Sequence, residues 1–364
     1  MDCSYCFYLD KQDLYRADAQ KPTPAHQMTT DLLENFIRQY IEQSIQRDVH
    51  FIWQGGEPTL YGLEKFRTIV ELQEQYRGHK RIINTLQTNT TLINSEWINF
   101  LKSHQFTVGV SIDGPPDMND PYRRNFKRGA SLEGNINALQ AAEVELVSLS
   151  CIHRLNWQHP VEVYTYLKDI GFHHQQYIPI TPGTMGRPEA LERGNYAYFL
   201  NQIFDQWVQA DVGQVFVQPF DLALEAWSGV QSHLCVFNKT CGTIPILEKN
   251  GDVYACDHFV DENYLLGNIQ DTSLMTMGTS AEQESFANHK FQSLHPDCHT
   301  CPYLVACYGG CPKDRTLTVG NHKQNFLCSD YLSFFNHIDP YMTYMKNELE
   351  NRRPPATVMS WEPE

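Results

Sequence analysis

The sequence contains no apolar run approaching the roughly 18 residues of a membrane span, so no membrane partner is expected. Its start also lacks the secretory pattern of a charged segment, an apolar core and a small-residue cleavage site. Positive charge is scarce: 28 lysines and arginines stand against 43 aspartates and glutamates, for a formal net charge of −15. The basic residues are dispersed rather than gathered into a stripe, so the field opposes binding to phosphate backbones and nucleic acid is not an expected partner. These absences together point to a cytoplasmic protein.

What the chain has in quantity is cysteine. Eleven thiols without an export pattern argue against disulfides, because a reducing cytosol keeps them free for metals or for chemistry. Cys3 and Cys6 form a C-x2-C pair in the opening stretch MDCSYCFYLD, which is half of a four-ligand centre. Cys151 lies far along the chain in a strand-like run and reads as an ordinary buried thiol. The remaining thiols are Cys235, Cys241, Cys256, Cys298, Cys301, Cys307, Cys311 and Cys328, spaced C-x5-C-x14-C and then C-x2-C-x5-C-x3-C-x16-C. Short intervals of this kind let a loop wrap one centre, and eight thiols make two sets of four. Spacing alone leaves structural zinc and iron–sulfur clusters both open.

The length of 364 residues suits one barrel-sized unit plus a smaller one. Up to about residue 180, helical and strand-like segments alternate. Thr29 and Thr30 can cap a helix with Leu32, Leu33, Phe36, Ile37, Tyr40 and Ile41 on one face. A second helix is expected over 63–76 and a later one over 196–211. Strands are expected over 50–53, 81–88, 106–113, 145–152 and 175–180. Strands separated by crossover helices imply a parallel sheet, either doubly wound or a barrel, with ligands at the carboxyl ends of the strands. The polar turns QGGEP, QTNTT, SIDGPP and PITPG fall at those ends. Within EKNGDVYACDHF, Asn250 and Gly251 suit a two-residue hairpin turn, with Cys256 near the hairpin's end. The domain boundaries implied are 1–212 and 213–336, followed by a last helix and a proline-punctuated tail, 337–364, expected to fray.

The ordered set CSYCFYL, WQGGEPTL, LQTN, SIDGP, YACDH and CHTCPYLVACYGGCPK resembles the anaerobic sulfatase-maturating enzymes. These are radical S-adenosylmethionine (SAM) enzymes that carry a cysteine-rich SPASM domain. The resemblance runs from Met1 to about Cys328 and implies an α/β fold: a partial (β/α)6 radical SAM barrel followed by a small SPASM domain with a β-hairpin. It implies SAM and three 4Fe–4S clusters as cofactors. The cluster that binds SAM is held by three cysteines, of which Cys3 and Cys6 match the second and third. Tyr5 matches the adenine contact, and Gly55, Gly56 and Glu57 match the turn that accepts the SAM amino group. Ser111 matches the ribose contact and Arg123 the carboxylate partner, with a surface ion pair as the alternative for Arg123.

The same resemblance assigns Cys235, Cys241, Cys256 and Cys311 to one auxiliary cluster and Cys298, Cys301, Cys307 and Cys328 to the other. Four thiolates leave no iron open, which suits electron transfer. The reaction implied is removal of a hydrogen atom from Cβ of a cysteine or serine in an unfolded sulfatase-type polypeptide. It ends in Cα-formylglycine, directly from serine or through hydrolysis of a thioaldehyde from cysteine. Asp257 matches the base that takes the thiol or hydroxyl proton, with a solvated turn aspartate as its alternative. A small electron-donor protein such as a flavodoxin or ferredoxin is implied as reductant. Two other readings stay open: a different peptide-modifying SPASM enzyme, and a metal-binding relative without turnover. The first cluster cysteine and the first barrel strand of the family fall ahead of Met1. The chain is therefore expected to start inside a longer reading frame or to cleave SAM poorly.

Overall fold

The computed structural model describes residues 3–6, 8, 27–123, 132–183, 186–242 and 245–363. Phe7 and Leu9 of the opening motif lie outside the described residues. So do residues 1 and 2.

The main sheet is built from β1 Asp48–Trp53, β2 Arg81–Thr88, β3 Thr107–Ser111, β4 Glu145–Ile152, β5 His174–Pro179 and β6 Phe216–Val217. Its spatial order is β1-β2-β3-β4-β5-β6, and every neighbouring pair is parallel. A doubly wound sheet reverses its order at a switch point. This sheet adds each strand on the same side, which is the order of a barrel wall. The five expected strands all form. The sixth, β6, went unread because two residues carry no periodicity. It pairs with β5 through His174 and Gln175, so the sheet extends past residue 212.

The crossover helices follow from their apolar faces. In α1 Thr30–Gln43 the Thr29 side chain accepts from Leu32 N, and Leu33, Ile37 and Ile41 are buried. The helices α2 Leu63–Tyr76, α3 Ser95–Ser103, α4 Leu132–Ala141 and α5 Pro160–Asp169 connect the next strands. After β5 come α6 Asn195–Ala210 and, beyond β6, α7 Gln218–Trp227.

The cysteine-rich part has its own small antiparallel sheet of β7 Ile246–Leu247, β8 Asp252–Tyr254 and β9 Leu265–Asn268. The β7–β8 turn differs from the two-residue expectation. Leu247 pairs with Val253 and Glu248 N donates to Asp252 O, leaving Lys249, Asn250 and Gly251 as a three-residue loop. Gly251 at φ 91° takes the left-handed position that such loops require. Helix α8 Ala281–Gln292 follows, then the hairpin of β10 Leu317–Val319 and β11 His322–Gln324, and finally α9 Cys328–Glu350.

One apolar core runs through both parts, from Val108 and Val110 of the sheet through Phe204 on α6 and Phe220 on α7 to Phe334 and Ile338 on α9. Helix α9 passes through residue 336 and packs along α6, so the cysteine-rich part closes back onto the barrel. The last residues do not fray as expected. A short 3-10 helix, Pro355–Ser360, buries Val358, and Trp361 stacks on Tyr344 with ring centroids 4.6 Å apart. Arg353 bridges back to Glu348 at 2.6 Å. Aromatic burial thus outweighs the proline punctuation.

Candidate active site

The polar turns at the carboxyl ends of the strands meet, and carboxylates join them. Glu57, after β1, uses Oε1 to accept from Thr59 N at 3.1 Å and Thr88 Oγ1 at 2.7 Å, and Oε2 to accept from Asn89 N at 2.9 Å. Its side chain therefore ties QGGEP to QTNT, and only the backbone of the turn is open to a ligand. Gly55 and Gly56 are exposed, and Gly55 sits at φ 135°, where side chains are strained. The Tyr8 ring lies over them, 3.4 Å from where a Cβ on Gly56 would stand, so the segment that carries Cys3 and Cys6 adjoins the glycine turn.

Asp113, at the end of SID, is the second joint, and sequence reading missed it. Its carboxylate is fully buried. Oδ1 accepts from Arg123 Nη2 at 2.8 Å and from Cys151 N at 2.7 Å, while Oδ2 accepts from the Tyr5 hydroxyl. His153 faces the same oxygen: its Nδ1 accepts from Leu155 N, leaving Nε2 with the proton 3.5 Å from Oδ2. Burial alone would raise the Asp113 pKa, but the Arg123 charge and the His153 contact hold it well below the usual carboxylate range. Burial and then the Asp113 charge drive the Tyr5 phenol in the opposite direction, upward.

Arg123 is therefore not in a surface pair. It is enclosed, and its guanidinium lies 5.7 Å from the centre of the Tyr5 ring. Tyr5 is buried, edge-on to Tyr122 at 5.9 Å, and its backbone carbonyl accepts from Arg187 Nη1 at 2.7 Å. Cys3 and Cys6 are half-buried beside it, with Cys6 N donating to Cys3 O. Cys151 is remote in sequence but not in space. Its sulfur is 3.7 Å from Arg123 Nη2, and burial, with Asp113, Cys3 and Cys6 adding to it, pushes its thiol up to about 12. Ser111 ends β3 half-buried. Arg123 Nε is buried with no hydrogen-bond partner among the described residues. An orphaned cationic donor near the Cys3 and Cys151 thiols fits an anionic ligand such as the SAM carboxylate.

In the cysteine-rich part, the thiols sort into two neighbourhoods. Cys256 feels the charge of Cys311, Cys311 that of Cys235, and Cys241 that of Cys235. Cys298 feels Cys301, Cys307 feels Cys328 and Cys298, and Cys328 feels Cys298 and Cys301. The switch between the groups is the run Tyr308, Gly309 and Gly310, three consecutive left-handed residues at φ 46°, 72° and 61°. A Cβ on Gly310 would collide with Asn325 Nδ2. Among the described residues, no three His, Cys, Asp or Glu side chains close on one ion-sized point. A cavity of about 620 Å³ opens at the first group, lined by Cys241, Lys290, Pro312 and Arg315 together with aromatic residues such as Phe286. An all-thiol donor set, one member of which (Cys241) opens onto this space, suits an iron–sulfur cluster at the first group.

Asp257 follows β8, half-buried, with Oδ1 3.4 Å from Cys256 Sγ. Among the described residues it is not in hydrogen-bonded contact with Tyr5, Arg123 or Asp113. The two parts of the molecule do meet elsewhere. Thr181 Oγ1, just past β5, donates to Asp314 Oδ1 at 2.7 Å, three residues after Cys311. Gln39 and Asn35 of α1 both donate to Ile269 O at 3.3 Å, and Gln39 Oε1 accepts from Leu274 N.

Residues 1–167 match the radical SAM superfamily, and residues 241–302 match the SPASM iron-sulfur cluster-binding domain. The serine-type anaerobic sulfatase-maturating enzyme of Bacteroides thetaiotaomicron is 38% identical over 98% of this chain and 91% of its own length. The serine-type enzyme of Klebsiella aerogenes is 33% identical over 92% of this chain and 81% of its own length. The cysteine-type enzyme of Clostridium perfringens is 29% identical over 96% of both. The structure of native anSMEcpe with bound AdoMet superposes with a TM-score of 0.83 at 28% identity, covering 95% of each chain. That of anSMEcpe with AdoMet and the Cp18Cys peptide also gives 0.83, covering 96% of each. With its sequentially ordered parallel sheet and cysteine-rich second part, the chain belongs to the radical SAM family of anaerobic sulfatase-maturating enzymes.

Proposed function

We propose that this protein oxidises a serine or cysteine in an unfolded sulfatase-type polypeptide to Cα-formylglycine. The observation that carries the reading is the convergence of Cys3, Cys6, the open Gly55 and Gly56 turn and the buried Arg123–Asp113 pair at one end of the sheet. In this reading Cys3 and Cys6 belong to the cluster that binds SAM. The backbone of Gly55 and Gly56 receives the SAM amino group, Arg123 Nε its carboxylate, and Ser111 and Tyr5 flank its nucleoside. Glu57 and Asp113 hold these groups in place.

Cys235, Cys241, Cys256 and Cys311 hold one auxiliary cluster, and Cys298, Cys301, Cys307 and Cys328 the other. When bound, SAM with its cluster supplies hydrogen-atom abstraction, and the auxiliary clusters supply a sink for one electron. A substrate CH2OH becomes CHO by losing one hydrogen atom, one proton and one electron. Asp257 takes the proton, a role its place beside a cluster ligand suits. The greater identity to serine-type relatives favours serine. Among the described residues no helix is long and apolar enough to cross a membrane. So many free thiols suit a reducing compartment, and we place the reaction in the cytoplasm, with a flavodoxin or ferredoxin as electron donor.

The test is anaerobic incubation of reconstituted protein with SAM, a reductant and peptides containing S-x-P-x-R or C-x-P-x-R. Release of 5′-deoxyadenosine with mass loss from the peptide is expected. SAM cleavage without change in either peptide would exclude this substrate class.

A further inference from the structure

Two cations, Lys290 fully buried and Arg315 half-buried, stand among the auxiliary thiols, and among the described residues no carboxylate pairs with either of them. Arg315 Nη1 donates to Lys290 O at 2.8 Å, Ser293 O at 3.1 Å and Ser293 Oγ at 2.9 Å. Its Nη2 donates to Tyr308 O at 3.3 Å and its Nε to Gly309 O at 3.4 Å. Lys290 is fully buried, and its Nζ donates to Cys235 O at 2.6 Å, Val236 O at 3.0 Å and Asn238 O at 2.5 Å. Three carbonyl acceptors use all three protons of an ammonium, so the geometry itself assigns Lys290 its charge. Every one of these acceptors is a neutral oxygen. Among the described residues neither cation has an ion-pair partner, although the chain carries 43 acidic residues. A buried, uncompensated charge such as that of Lys290 is expensive, and the half-buried Arg315 adds a second positive charge beside it, so a countercharge belongs here.

The cations hold the segments that carry the thiols. Lys290 caps the turn that begins at Cys235. Arg315 grips Tyr308 and Gly309, the residues between Cys307 of one group and Cys311 of the other. Both line the cavity into which Cys241 opens. The thiols whose charge Arg315 feels are Cys298, Cys241, Cys311 and Cys307, drawn from both groups. Those Lys290 feels are mainly of the first group: Cys241, Cys235 and Cys311, then Cys307.

We propose that Arg315 and Lys290 are the built-in countercharges of the auxiliary centres and set their reduction potentials, Arg315 for both centres and Lys290 chiefly for the one at Cys235, Cys241, Cys256 and Cys311. A fixed positive charge stabilises the reduced, more negative form of a cluster and so raises its potential. These are positioning residues that act through the clusters, and the inference rests on the ligand assignment made above.

The test uses the whole chain, purified anaerobically, as wild type and as Arg315→Gln, Arg315→Lys and Lys290→Met. Iron and sulfide are counted, and each midpoint is read by redox titration followed by electron paramagnetic resonance. Arg315→Gln is expected to lower both auxiliary midpoints by a tenfold change in the oxidised-to-reduced ratio, about 59 mV for a one-electron couple. Arg315→Lys, which keeps the charge and loses the fork, is expected to restore most of the shift. Lys290→Met is expected to move mainly one midpoint. Unchanged midpoints in iron-replete Arg315→Gln would overturn the proposal. So would loss of clusters from both Arg315 variants, which would make Arg315 a folding clamp. Wild-type protein without auxiliary iron would instead refute the ligand assignment beneath it.

Discussion

Arg123 and Asp113 form a buried ion pair, Nη2 to Oδ1 at 2.8 Å, with side-chain exposures of 8% and 0%. Removing one partner of such a pair leaves the other charge stranded, at about 3–5 kcal/mol. Asp113→Asn is therefore expected to lower stability by that amount in urea unfolding and to weaken SAM binding in equilibrium dialysis. The double variant Asp113→Leu, Arg123→Met is expected to recover much of the stability and none of the SAM binding. Full SAM affinity in the double variant would remove Arg123 from the ligand site.

Asp257 is expected to matter after SAM is cleaved, not before. Asp257→Asn should release 5′-deoxyadenosine near the wild-type rate while formylglycine formation falls at least about a hundredfold, the usual effect of removing a general base. Mass spectrometry of the peptide separates the two. Full turnover would return Asp257 to the role of an ordinary turn residue.

Glu57 joins two strand ends through both carboxylate oxygens. Glutamine keeps the shape but offers an amide donor where one oxygen accepted, leaving a half-buried N–H or hydroxyl unpaired. A loss of about 1–3 kcal/mol is expected in Glu57→Gln by denaturant unfolding.

Gly310 separates the two thiol groups. Gly310→Ala must hold a left-handed residue, at about 1–2 kcal/mol, and its Cβ meets Asn325, whose Nδ2 donates to Gly309 O and Cys311 O. The expected outcome is reduced auxiliary iron and sulfide per chain with the SAM-binding cluster retained, checked by iron counting and SAM-dependent spectral change.

Asp221 on α7 has its pKa pushed from 3.8 up to about 7, first by burial and then by Glu225. The folded chain thus binds a proton that the unfolded chain has released, so stability falls as pH rises from about 4 to 7. Asp221→Asn removes the penalty. Its melting temperature is expected to exceed wild type by about 2–4 °C at pH 8 and by less at pH 5.

Much of this architecture follows from local pattern. The apolar face and Thr29 cap of α1 and the turns at the strand ends are decided by residues close in sequence. What could not be read depends on distant partners. Gln39 looks like a solvent-facing residue of α1, yet it is buried because Ile269 and Leu274 supply its hydrogen bonds. Asp113 sits in a motif that turn chemistry already explains, and its role emerges only when Tyr5, Arg123 and His153 arrive from three other segments. Cys151 lies in the strand its sequence suggests, but its contact with Arg123 joins residues 28 positions apart and cannot be read locally. The order of the tail is not legible locally either, because Trp361 needs Tyr344, which lies on a helix packed by the core.

The hydrogen bonds from Thr181 to Asp314, and from Asn35 and Gln39 to Ile269, have a practical meaning for protein engineers. An attempt to swap this auxiliary domain for that of another peptide-modifying enzyme, and so to redirect the radical to a new target, cannot cut at a linker. The transplanted piece would have to bring its own counterparts to Asn35 and Gln39 on the first helix, together with the aromatic side of α9. The two parts of this chain are therefore better varied together, with Asn35, Gln39, Thr181 and Asp314 kept as a set, than exchanged as modules.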